Sequence, residues 1–85
     1  MSSLQGKNAI ITGGGRGLGK AVALLLAQEG VNIGITGRNE ENLRNTVDEL
    51  QKNGVKATYA VFNVANKAEV DNGIKELVST LGGVD

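Results

Sequence analysis

Neither cysteine nor histidine occurs in these 85 residues, and their absence removes the usual zinc-ligand sets, disulfide frameworks and histidine-dependent nucleophilic triads. An excess of one charge sign is missing as well, since 9 Lys and Arg stand against 9 Asp and Glu. No bulk field draws nucleic acid or an anionic membrane, so partners must be recognised locally. The stretch from Met1 to Lys7 has no long apolar run behind a basic flank. We therefore read neither signal peptide nor transmembrane helix and expect a cytoplasmic protein. Linkers, repeats and low-complexity tracts are also absent. What is present, 40% hydrophobic and 21% charged residues, is the balance of one small globular domain with a thin core.

Along the chain, β-period and helix-period segments alternate. Asn8 to Thr12 is an apolar run closed by glycines and predicts a buried strand. Leu18, Val22, Leu25, Leu26 and Glu29 recur at helical spacing up to Gly30, predicting an amphipathic helix with a left-handed cap. Val31, Ile33 and Ile35 alternate with Asn32, Gly34 and Thr36, the period of a second strand. Asn39 followed by Glu40 and Glu41 predicts a capped, acid-led helix whose apolar face is Leu43, Val47 and Leu50, ending at Gly54. Ala57 to Phe62 predicts a third strand. Asn66 and Glu69 stand at capping-box spacing before a third helix with the stripe Val70, Ile74, Leu77, Val78 and Leu81, closed by Gly82 and Gly83. Val84 and Asp85 read as the opening of a fourth strand. Such alternation with short loops predicts an α/β fold with right-handed crossovers and a parallel, Rossmann-type doubly wound sheet, of which the βαβαβα portion is present. In the strand order 3-2-1-4-5-6, the first strand then has an open edge. A chain limited to these residues is expected to associate or fold poorly.

The chemistry concentrates in Thr12-Gly13-Gly14-Gly15-Arg16-Gly17-Leu18-Gly19, at the junction of first strand and first helix. Glycines at Gly13, Gly17 and Gly19 permit a sharp turn, close approach of backbone to a pyrophosphate, and tight packing of helix on sheet. The helix then directs free N–H groups and its positive dipole end at that anion. G-x-G-x-x-G is not satisfied, because its third glycine would fall on Leu18; the spacing is T-G-x-x-x-G-x-G. Gly14 to Lys20 also reads G-x-x-x-x-G-K, but Ala21 has no hydroxyl for Mg²⁺ and the third strand ends in Asn63, without an obvious metal-binding acid, which argues against a phosphate-hydrolysing P-loop.

That spacing resembles the cofactor motif of the short-chain dehydrogenase/reductase family, and the whole chain, from Leu4-Gln5-Gly6-Lys7 to Gly83-Val84-Asp85, is most like its 3-oxoacyl-(acyl-carrier-protein) reductases. The resemblance implies that residues 1–85 are the front part of a single NADP-binding domain, reaching the start of its fourth strand. Gly13, Gly14, Gly15, Arg16, Gly17, Leu18 and Gly19 would hold the diphosphate. At the end of the second strand, an NAD enzyme places an acid that would repel a 2′-phosphate. Here Gly37 stands where many NAD-dependent relatives carry Asp. Arg38, beside Asn39, offers a fork of donors to phosphate, with Arg16 as a second cation. These features point to NADP(H), although either arginine taken singly also fits a solvated surface residue. Asn63 and Val64 occupy a place where the family often has Asp-Val and acyl-carrier-protein reductases have Asn-Val. The Asn63 amide can pair with adenine, and it fits equally well as a turn residue.

The resemblance further implies reduction of a carbonyl in a small-molecule or acyl-carrier-protein-linked substrate, 3-oxoacyl thioesters above all. It implies a homotetramer at full length and no nucleic-acid or membrane partner. The family's catalytic Ser and Tyr-x-x-x-Lys have no counterpart here: Tyr59 is the one tyrosine, and position 63 is Asn rather than Lys. No catalytic residue and no metal ligand is assigned, and residues 1–85 alone are expected to be inactive. The alternatives kept open are a non-catalytic NADPH-binding module and a reductase of another ketone or sugar.

Overall fold

Strands and helices alternate as β1 (Asn8–Thr12), α1 (Gly17–Gln28), β2 (Asn32–Gly37), α2 (Glu40–Gln51), β3 (Ala57–Val61) and α3 (Lys67–Leu81), in a computed structural model that describes residues 5–13, 15, 17–62 and 66–83. The expected fourth strand at Val84 and Asp85 lies outside the described residues. The strands form one parallel sheet in the order β1-β2-β3. Ile33 faces Ala9 on one side and Ala57 on the other, and Ile35 lies between Ile11 and Tyr59. This is the Rossmann-type architecture that the alternation predicts.

β2 reads in sequence as a strand alternating apolar and polar residues, yet Ile33 and Ile35 are fully buried and Thr36 is 1% exposed. Its central position explains the difference, because a middle strand of a parallel sheet is covered on both faces. On one face Ile33 and Ile35 join Ala23 and Ala27 of α1 and Leu43, Val47 and Leu50 of α2. On the other, Leu77 of α3 closes over Ala60, Phe62 and Ile10.

α1 departs from the expected buried stripe. Leu18, Val22 and Leu25 are 81%, 37% and 63% exposed, whereas Ala23 and Ala27 are buried. Alanines let the helix approach the sheet closely, while these larger residues stay exposed; β1 pairs with β2 and no other described strand. A helix that is apolar on more than one side is built to be covered on more than one side. α2 and α3 start as expected: the Asn39 and Asn66 side chains accept hydrogen bonds from the Asn42 and Glu69 N–H groups at 2.9 and 3.1 Å. Gly82 ends α3 in a left-handed conformation.

At the N-terminal ends of the strands, asparagines form a chain of amide bonds. Asn8 Nδ2 donates to the carbonyls of Leu81 and Gly83 at the end of α3. Asn32 Nδ2 donates to Asn8 Oδ1 at 2.9 Å, and Lys56 N–H donates to Asn32 Oδ1 at 2.9 Å. The sheet is thereby tied at one end, leaving the C-terminal ends of its strands to form the site. Among the described residues, no helix is long and apolar enough to cross a membrane.

Candidate functional site

The C-terminal ends of β1 and β2 are joined where the glycine turn begins. Gly13 N–H donates to the Thr36 carbonyl at 2.8 Å, and Gly13 has φ of +70°, a left-handed conformation that only glycine adopts cheaply. The chain leaves β1 sharply there. A Cβ placed on Gly13 would meet nothing within 4 Å, so this wall of the site is bare main chain facing open space. At the next strand tip, Phe62 N–H donates to the Gly37 carbonyl at 3.0 Å.

Between these tips lies a cleft of about 340 Å³. Gly13 and Gly15 come from the glycine turn, Thr36, Gly37, Arg38 and Asn39 from the end of β2, Asn42 and Leu43 from the first turn of α2, and Phe62 from the end of β3. None of these is an acid, and one is an exposed guanidinium. Arg38 has no ion pair or hydrogen-bond partner among the described residues. The nearby acid of α2, Glu40, is engaged elsewhere: Tyr59 Oη donates to it at 3.2 Å, and Arg44 lies 3.7 Å from its other oxygen. The Tyr59 hydroxyl, ahead of the Glu40 charge, raises the Arg44 guanidinium above its ordinary value. Thr36 Oγ1 is buried with no partner among the described residues.

Four residues singled out in sequence, Gly13, Gly15, Arg38 and Asn39, therefore share one cleft. Gly17, Leu18 and Gly19 form the first turn of α1 and do not line it; Leu18 is largely exposed. Gly14, Arg16, Asn63 and Val64 lie outside the described residues. Sequence reading missed Thr36, Asn42, Leu43 and Phe62 as parts of the wall. Position in the pattern carried a signal for two of them, since Asn42 and Leu43 follow the Asn39 cap by one helical turn and must face what precedes that cap. A second cavity of about 490 Å³ lies toward the outer edge of β3 and is lined by Glu40, Glu69 and Glu76, a charge set that repels phosphate. Among the described residues, no group of three or more His, Cys, Asp or Glu is placed to hold a metal ion.

A strand, a glycine turn and a helix joined in this way match a known family over residues 7–85, that of the short chain dehydrogenases. The chain belongs to this family. Among curated short-chain relatives, an uncharacterized oxidoreductase of Staphylococcus aureus (strain USA300) is 42% identical over 85 residues, covering all of this chain and 36% of that protein. Among solved structures, an NAD⁺-bound xylitol dehydrogenase superposes with a TM-score of 0.94 at 31% identity, over 99% of this chain and 32% of the other. The L-sorbose reductase of Gluconobacter frateurii, complexed with NADPH and L-sorbose, gives a TM-score of 0.90 at 34% identity, over 96% of this chain and 32% of the other. The chain thus spans about a third of the length of these relatives.

Proposed function

We propose that the cleft binds NADP(H) and that the protein is an NADPH-dependent carbonyl reductase, in which residues 1–85 hold and orient the cofactor. The observation that carries this reading is the 2.8 Å bond between Gly13 N–H and the Thr36 carbonyl. It sets the glycine turn against the tip of β2, so that a diphosphate on the turn and a ribose beside Arg38 belong to one ligand. The residues present fit such a ligand: bare main chain on the Gly13 side, a buried unpartnered hydroxyl at Thr36, and no acid in the wall. Main-chain N–H groups and the positive end of α1 favour the diphosphate. Arg38, free of any counter-ion among the described residues, favours the extra phosphate of NADP. When bound, the cofactor supplies the hydride, while the chain's part is to grip both phosphate groups and exclude water from beneath them through Leu43 and Phe62.

Relatives of this fold include one solved with NAD⁺ and one with NADPH, so the preference rests on this chain's own residues. Gly37 brings no carboxylate to the ribose, and Arg38 brings a cation. Gly14 and Arg16 on the turn, with Asn63 and Val64 at the adenine side, complete the proposed contacts. For the substrate we propose 3-oxoacyl thioesters carried on acyl-carrier protein, which are reduced to 3-hydroxyacyl products by a homotetramer; this rests on the overall resemblance. A sugar ketone is the second reading, favoured by the L-sorbose reductase among the structural neighbours.

Titration of the full-length protein with NADPH and NADH, followed by nicotinamide fluorescence, tests the cofactor assignment. NADPH should bind at least about tenfold more tightly, the worth of one charge-assisted phosphate contact, and Arg38→Asp should abolish the difference. Equal affinities in the wild type, or a preference for NADPH that survives the substitution, would overturn it. Assays with 3-oxoacyl thioester and with L-sorbose then separate the two substrate readings.

A further inference from the structure

We infer that α2 sets the width of the cofactor cleft through Leu43 and Thr46, and that Thr46 is a positioning residue for the glycine turn; this rests on the cofactor reading above. Leu43 acts as a wedge. A Cβ built on Gly15 would stand 3.1 Å from Leu43 Cδ2, and one built on Gly37 would stand 3.2 Å from the same methyl. One methyl therefore fills the space beside both walls, at Gly15 on the diphosphate side and at Gly37 on the ribose side, and a side chain at either glycine would press on it. Leu43 itself is 1% exposed.

Thr46, one turn further along the same helix face, supplies the tether. Its side chain is fully buried. Its hydroxyl proton is shared between the Asn42 carbonyl at 2.9 Å and the Gly15 carbonyl at 3.2 Å. The first bond is the ordinary back-bond of a helical threonine. The second leaves the helix and holds the glycine turn down on Leu43. Glycines such as Gly13, Gly15 and Gly17 bring little stiffness of their own, so the height of Gly15 above α2 depends on such outside contacts. Valine at 46 would keep the shape and remove the tether, leaving the Gly15 carbonyl against an apolar side chain.

The consequence is selective. A ligand that spans both walls needs the turn at its set height, whereas a ligand confined to the ribose side does not. The test uses the full-length protein and its Thr46→Val and Thr46→Ser variants, titrated with NADPH and with adenosine 2′-monophosphate, which carries the 2′-phosphate without the diphosphate. Thr46→Val should weaken NADPH about tenfold, the cost of one unmet buried hydrogen bond, with adenosine 2′-monophosphate unchanged within twofold. Thr46→Ser keeps the hydroxyl and should bind both as the wild type does. Unchanged NADPH affinity in Thr46→Val, equal loss of both ligands, or failure of serine to restore binding overturns the proposal and leaves the cofactor reading standing. A wild type that binds neither NADPH nor NADH removes both.

Discussion

Gly73, in the middle of α3, lies directly against the ring of Phe62, so that a Cβ at position 73 would fall inside the ring's contact distance. Phe62 is 4% exposed and also forms part of the wall of the candidate cleft. The missing side chain of a helix residue thus decides where an aromatic wall of the site stands.

Gly73→Ala should accordingly destabilise the protein, although alanine is the better helix former by about 1 kcal/mol. Forcing a methyl into a filled space costs about 1–3 kcal/mol, and the ring is packed in the cluster of Ala60 and Leu77. Chemical denaturation of the variant should show a lower midpoint, and NADPH should bind less tightly as the ring shifts. A gain in stability would mean that Phe62 has room to move.

The asparagine chain at the far end of the sheet carries stability and no binding. Asn32→Ala would strip partners from the Asn8 side chain and from Lys56 N–H, which should cost about 1–3 kcal/mol in a denaturation experiment. Affinity for NADPH should remain as in the wild type, because these bonds lie at the opposite ends of the strands.

Salt separates the two phosphate contacts. Screening shortens the reach of exposed charges from about 10 Å at 0.1 M to about 3 Å at 1 M, and Arg38 is exposed. Raising ionic strength should therefore weaken NADPH more than NADH and narrow their ratio, and Arg38→Gln should remove the difference in salt dependence. Parallel salt curves for the two cofactors in the wild type would place the 2′-phosphate away from Arg38.

Residues 1–85 purified by themselves should self-associate and show no carbonyl reduction. Leu18, Val22 and Leu25 present exposed apolar surface, and β1 pairs on one side with β2 and with no other described strand. Sedimentation should report a species larger than the monomer, and Leu18→Glu with Leu25→Lys should shrink it. A well-behaved monomer, or measurable turnover, would contradict this.

Much of the fold was legible because the local signals agree with one another. The period of two over Val31 to Thr36, the asparagine caps at Asn39 and Asn66 and the glycines after each helix mark element limits that the structure reproduces nearly to the residue. Helix starts depend on side chains within three residues of the cap, so a single chain stretch contains all that is needed. The glycine turn and Arg38 were legible for the same reason, being adjacent to those limits.

Burial was less legible, because it depends on which element comes to lie opposite. The pattern of α1 pointed to Leu18, Val22, Leu25 and Leu26 as the inner face; Leu26 packs against the core, whereas the other three are exposed and Ala23 and Ala27 are the buried residues. Thr36 falls in the polar phase of the β2 alternation and Thr46 lies outside the apolar stripe expected for α2, yet both are buried, one beneath the cleft and one beneath the turn. The order and limits of the strands and helices, and the glycine-rich turn between the first two, follow from short-range sterics and hydrogen bonding and are therefore set locally along the chain. Tertiary structure alone decided that one methyl of Leu43 and the ring of Phe62 shape the cleft, since contacts between residues far apart in the chain exist only once the sheet has brought their elements together.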